Sequence, residues 1–283
     1  MKQFTRLLFI YYCLLPCSVK AAAYTAATQS GNIKAYVAII IDDLGYKRVE
    51  DSRALALPGA VTLSFLPQSP LAGKLAELGF LQGNEIMLHL PMQSIETTHL
   101  GPGALTLDMN EAKFKSSVLE SLSSVPHVSG INNHMGSLLT SHPGYMTWLM
   151  ELLKPTRLFY IDSRTTTETV AETIANKFNI PNARRNVFLD HDPETAAIEL
   201  QFKRLIKLAK RDGYAIGIAH PFKVTLDFLE RKLPELTQAG IKLIPVSELI
   251  QAQRAQEMFT ETQQRRTSIW QMSLSPSHQD AKN

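Results

Sequence analysis

VAIIIDDLGY, residues 37–46, sets five apolar residues in a row, then two adjacent carboxylates, a leucine and a glycine. A near-continuous apolar run suits a strand covered on both faces of a parallel sheet. Asp42 and Asp43 then stand at its C-terminal end, the rim on which parallel α/β proteins build their sites. Working outward, short apolar runs recur at 61–66, 85–90, 128–136, 157–162, 183–190, 214–220 and 241–249. Helix-like stretches fall between them at 70–78, 110–122, 145–153, 170–178, 193–212 and 225–238. Strand and helix in alternation predict parallel strands joined by right-handed crossovers. Eight strands of this kind predict an α/β fold of the (β/α) barrel type, with an open doubly wound sheet as the alternative.

The polar residues just past those runs are Asp42 and Asp43, His89, His134, Asp162, Asp190 with His191, and His220. Each alone has a plain explanation, such as a satisfied loop histidine or the N-cap of the next helix. Their convergence on one rim points to a site. Mixed Asp and His donors suit a borderline divalent cation, Zn²⁺ above all. Adjacent carboxylates repel unless a cation or a proton separates their roles. A metal ligand beside a general base makes sense of the pair, and a strand-end turn with Asp42 capping and Gly45 relaxing the backbone is the competing reading. Met87 and Met92, around His89, read as core packing, and His99, His127 and His142 as solvent-facing loop residues. Asp190-His191-Asp192 leads into Pro193 and a helix, so capping is the favoured reading there.

Residues 1–23 carry Lys2 and Arg6, an apolar run from Leu7 to Leu15 and a small-residue end at Ala21-Ala22-Ala23. That is the pattern of a secretory signal peptide, too short in its apolar part to span a bilayer. Pro16, standing before Cys17, argues against lipid attachment. Cleavage after Ala23 would remove Lys2, Arg6 and Lys20, so 29 basic residues less three match the 26 acidic ones. With net charge zero, nucleic-acid binding loses its main support. Both cysteines leave with the signal, so stability rests on core burial rather than disulfides. The expected organisation is a polar lead-in at 24–35, one domain at 36–250 and a flexible or weakly helical tail at 251–283. The mature chain is expected in the periplasm, without stable membrane insertion.

IIIDDLG, LHLPM, NNHMGS, YIDSRT and IAHP, taken as a set across 37–250, resemble the divergent polysaccharide deacetylase family of exported bacterial proteins, itself related to the NodB-like polysaccharide deacetylases. The resemblance implies a distorted (β/α) barrel of fewer than eight regular strands, a divalent metal, a glycan substrate and hydrolysis of its acetyl groups. Carried over, it implies Asp42 as base, Asp43 and His89 as metal ligands, and His220 as acid. The histidine expected four residues after His89 is Gln93, so His134 becomes the candidate third ligand. Asp162 with Arg164 would orient His220 and bind a polar substrate, with Asn133 as a second substrate contact. Two functions follow from this: a metal-dependent hydrolase of carbon–nitrogen (non-peptide) bonds on a cell-envelope glycan, or a degenerate barrel that binds glycan or an envelope partner without turnover.

Overall fold

The structure, a computed structural model, describes residue 33, residues 35–96 and residues 99–274. The expected signal peptide and nearly all of the lead-in lie outside the described residues. Among the described residues nine strands form one all-parallel sheet: β1 Ala35–Leu44, β2 Thr62–Phe65, β3 Glu85–Met92, β4 Val128–Met135, β5 Phe159–Asp162, β6 Asn182–Arg184, β7 Val187–Phe188, β8 Tyr214–Ala219 and β9 Ile241–Leu243. Their order is β6-β5-β4-β3-β2-β1-β8-β7, with β9 added beside the start of β1. The sheet curls into a distorted half-barrel that stays open at one seam, between β6 and β7. Eight α-helices accompany it among the described residues: α1 Arg48–Leu55, α2 Ala72–Leu81, α3 Glu111–Ser123, α4 Pro143–Leu153, α5 Ala171–Lys177, α6 Thr195–Asp212, α7 Lys223–Lys232 and α8 Val246–Leu274.

Two apolar cores follow from the period-two alternation of strand side chains. Val37, Ile39 and Ile41 of β1, with Leu63, Phe65, Leu88, Ile131 and Tyr160, pack outward against the helices. Ala38, Ile40, Met87, Phe159, Ile161, Ala183, Ile216 and Ile218 fill the inside of the curl. Gly130 belongs to that inner set, since a Cβ there would stand 2.2 Å from the Phe159 ring. At the N-terminal end of the strands, Ile244, Val246, Leu249 and Ile250 close the inner core as a floor.

Two expectations change in detail. The run at 183–190 is broken into β6 and β7 on opposite edges of the seam, where Asn186 donates to Ile216 instead of continuing one strand. The run at 241–249 is strand only to Leu243; Pro245 ends the pairing, and helix begins at Val246. That helix continues to Leu274, through most of the segment expected to be flexible or weakly helical. Between 246 and 274 there is no glycine or proline, and Gln, Glu, Arg and Ala, all good helix formers, dominate 251–257. Among the described residues no helix is long and apolar enough to cross a membrane.

Glu85, the first residue of β3, ties the floor to the sheet. Its carboxylate accepts from Thr62 Oγ1 at 3.0 Å and from the Ser247 backbone N–H at 3.2 Å, in the first turn of α8. Burial pushes the Glu85 carboxyl up, with the bonds from Ser247 and Thr62 opposing. A carboxylate here satisfies a helix-start donor and meets the positive end of the helix dipole. Glu85→Ala should therefore lower stability by about 1–3 kcal/mol, read as a lower urea midpoint.

Candidate functional site

The same alternation sorts the rim. Asp42 continues Ala38 and Ile40, His89 continues Met87, Asn132 and His134 continue Gly130, and His220 continues Ile216 and Ile218, so all fall on the inner face. Asp43 would point outward by that count, but its φ of 60° and a shift in the β1–β2 register between Ile41 and Leu44 turn it back. The turn is held from below by buried Asp51, whose carboxylate accepts from Gly45 N–H and Lys47 N–H at 2.9 Å each. Gly45 itself sits at φ 121°, and a Cβ there would lie 1.9 Å from Ser69 Oγ. Two neighbours in sequence thereby reach one site from two directions.

Asp43 Oδ1, His89 Nε2 and His134 Nδ1 form a triangle with sides of 3.2, 2.9 and 3.1 Å. Such a triangle leaves a point about 2.1 Å from all three, the ligand distance of Zn²⁺. Asp43 Oδ1 is buried and makes no hydrogen bond of proper geometry, although both ring nitrogens approach it. Three potential ligand atoms gathered this closely leave room for a cation between them, so these residues could hold a metal. Burial works to raise the Asp43 carboxyl, but contacts from His134 and His89 outweigh it and hold it far below the usual carboxylate range. For His89 burial is again opposed, here by Asp42 and Asp43, which lift the imidazole to about 9.

Asn132 joins the Asp42 carboxylate to the triangle. Its amide nitrogen lies 2.8 and 3.0 Å from the two oxygens of buried Asp42, so that end is the donor. Its oxygen then accepts from Ser64 Oγ at 2.7 Å and faces His89 Nδ1 at 2.9 Å. Nδ1 must carry a proton there, which in the neutral ring leaves the lone pair on Nε2, inside the triangle. Burial raises the Asp42 carboxyl, with His89, His220 and Asn132 opposing.

Across the site, Asp190 holds His220 twice. Its Oδ1 is 3.0 Å from His220 Nδ1 and its Oδ2 accepts from the His220 backbone N–H at 2.7 Å, while Thr225 Oγ1 donates to the same oxygen. His220 Nε2 is left 3.9 Å from Asp43 Oδ2. Burial lowers the His220 imidazole, but Asp190, Asp43 and Asp42 together raise it.

Three expected roles are corrected. Asp162 does not touch His220: it follows Tyr160 on the outer face, and its oxygens accept from the Arg164 backbone N–H and Thr169 Oγ1. Asp190, read from sequence as a cap, is the orienting carboxylate instead, and Glu194 occupies the cap position. Asn133 is also outward-facing, with its amide engaged by Met135 O, Ser163 N–H and the Tyr160 hydroxyl, so no end is free for substrate. Gln93 stands away from the triangle, its side-chain oxygen accepting from Leu107 N–H at 2.7 Å. Sequence reading missed Asn132, Ser64 and Arg185; strand parity places the first two on the inner face, while Arg185 lies outside the strands, between β6 and β7. Met87 and Met92 are core residues, and His99, His127 and His142 are exposed, as their loops suggested.

A model of the divergent polysaccharide deacetylase family matches residues 39–250. The chain belongs to that family. Escherichia coli YibQ, an uncharacterized protein, is 34% identical over 233 residues, covering 82% of this chain and 73% of YibQ. A crystal structure of an uncharacterized Agrobacterium tumefaciens protein superposes with a TM-score of 0.75 at 24% identity, over 78% of this chain and 91% of that one. The peptidoglycan deacetylase PdaC of Bacillus subtilis shares the fold at a TM-score of 0.50 and 12% identity, over 82% and 97% of the two chains.

Two outcomes test the site of this family member. After incubation with Zn²⁺, elemental analysis should find about one equivalent in the native chain and in His127→Ala, whose ring stacks on Phe80, and none in His134→Ala. Asn132→Leu, near in size but without the amide, should cost roughly 3 kcal/mol or more in chemical denaturation, because Asp42, Ser64 and His89 each lose a buried partner.

Proposed function

We propose that this chain is an exported, metal-dependent hydrolase that removes acetyl groups from a glycan of the cell envelope, working in the periplasm. The observation that carries the reading is the pair of held groups around the triangle: Asp42 against Asn132 on one side, His220 against Asp190 on the other. Family membership supports a glycan substrate, and the charged, apolar and small-residue order of 1–23 supports export.

Asp43, His89 and His134 would hold the cation, with Zn²⁺ the best match to one carboxylate and two imidazoles. When bound, it supplies Lewis-acid polarisation of the acetyl carbonyl and lowers the pKa of water. Asp42, whose carboxyl is raised by burial, takes the proton from the attacking water at the free lone pairs of its Asn132-bound oxygens. His220, raised by Asp190 and the site carboxylates, enters protonated on Nε2 and gives that proton to the leaving amine. Asp190 fixes the ring so that Nε2, not Nδ1, faces the reacting centre. On the other side of the triangle, His134 shares a cleft of about 290 Å³ with Tyr46, Leu66, Pro67 and Pro91, which offers apolar walls for a sugar and its acetyl group.

Acetate release from N-acetylated oligosaccharides by the Zn²⁺-incubated chain tests this directly. Asp42→Asn should keep its zinc and lose roughly 10²–10⁴-fold in rate. Zinc lost in that variant would refute the division of roles between Asp42 and Asp43. Glycan bound by the native chain with no acetate released would instead support the degenerate barrel.

A further inference from the structure

At the open seam the rim carries a second cavity, of about 540 Å³, lined by Arg164, Arg185, Arg204, Gln201, Asn186 and Phe188 among others. None of its lining residues is acidic. Arg164 follows β5 at a φ of 50°, Arg185 lies between β6 and β7, and Arg204 projects from α6. Among the described residues, the Arg164 and Arg204 guanidinium groups make no hydrogen bond or ion pair. Arg185 is anchored through Nε to Ser163 O at 2.6 Å and through Nη2 to Arg164 O at 2.7 Å. Its guanidinium stands 5.0 Å from the Phe188 ring centroid. The nearby carboxylate that could neutralise the cluster, Asp162, is occupied by the Arg164 backbone N–H and Thr169.

Three like charges around one concavity repel, and the Arg185 pKa reflects it. Burial lowers it first, Asp162 and Asp42 oppose, and Arg164 and Arg204 lower it further. Planar guanidinium forks match the geometry of an oxyanion, and Arg185 is already fixed in place to offer one edge. The cavity also adjoins the catalytic rim. Phe188 is its shared wall, with the His220 ring 5.0 Å away on the other side.

We propose that this cavity is the subsite for an acidic group, a carboxylate or a phosphate, carried on the glycan beside the sugar that reacts at the Asp/His cluster. The proposal rests on the glycan reading above and narrows it to anionic polymers. Because the chain without residues 1–23 has no net charge, the selectivity is local to the seam and not a property of the whole surface.

Calorimetric titration of the full, Zn²⁺-incubated chain tests it with three tetrasaccharides: neutral chitotetraose, chitotetraose carrying one 6-phosphate, and an alternating N-acetylglucosamine–glucuronate chain. At low salt at least one acidic ligand should bind roughly tenfold tighter than the neutral one, the worth of one charge-assisted contact. Which of the two does so identifies the group. Arg204→Gln should reduce that preference and Arg164→Gln/Arg204→Gln should abolish it, with chitotetraose affinity unchanged. Equal affinities for all three, a preference that survives the double variant, or no binding by any of them overturns the subsite. Acetate release from chitotetraose reads the catalytic cluster separately, so the subsite can fail while the hydrolase reading stands.

Discussion

A strand can send only every second side chain into the curl of the sheet, and the site depends on that limit. Ala38, Ile40 and Asp42 share one parity, as do Met87 with His89, Gly130 with Asn132 and His134, and Ile216 with Ile218 and His220. Apolar members fill the middle of the half-barrel and polar members surface at its rim. A slip of one residue in any of these strands would bury a charge among the helices and bring an apolar side chain of the outer core to the rim in its place. Asp43 is the exception that the site needs. Its left-handed backbone spends conformational energy, held by Asp51 and by the freedom of Gly45, to bring a second carboxylate round to the same face.

Asn132 turns four converging strands into one unit. Only a side chain with a donor and an acceptor at fixed separation can serve the Asp42 carboxylate with one end and receive His89 Nδ1–H and Ser64 Oγ–H with the other. An aspartate would repel Asp42 and a leucine would leave three buried groups unmet. The tautomer of His89, and hence the direction of its free lone pair, is therefore set from β4, a strand away.

The strand–helix alternation, the apolar runs and the strand-end positions were legible because burial on both faces leaves a continuous apolar signature. So were Asp42, Asp43, His89, His134 and His220, which all stand at inner-face positions or are turned to them. Asp162 and Asn133 were misplaced because position past a strand was weighed without parity; each is one residue out of phase with the site. Asp190 was hidden by Pro193, whose helix-start signal made capping the simpler reading, although parity from Phe188 sends its carboxylate inward. Arg185 gave no signal, since it lies in a break between two strands of three and two residues that no periodicity marks. Gln93, which stands where the resemblance leads one to expect a histidine, accepts from Leu107 N–H and closes the loop there.

The placing of β1 carries a consequence for how the chain acquires its shape. β1 pairs with β2 on one side, with β8 on the other, and with β9 at its start, so its partners come from residues 62 and 241 alike. The floor of the inner core comes later still, from Val246, Leu249 and Ile250. Closing those contacts means bridging some two hundred residues of chain, an ordering cost that slows folding of high contact order. A nascent chain that has delivered only its first five strands holds Asp42, His89 and Asn132 but has neither the edge that covers β1 nor the plug beneath it. The first strand to be made is thus among the last to be completed, and the rim that carries the Asp/His cluster is complete only when nearly the whole sequence is present.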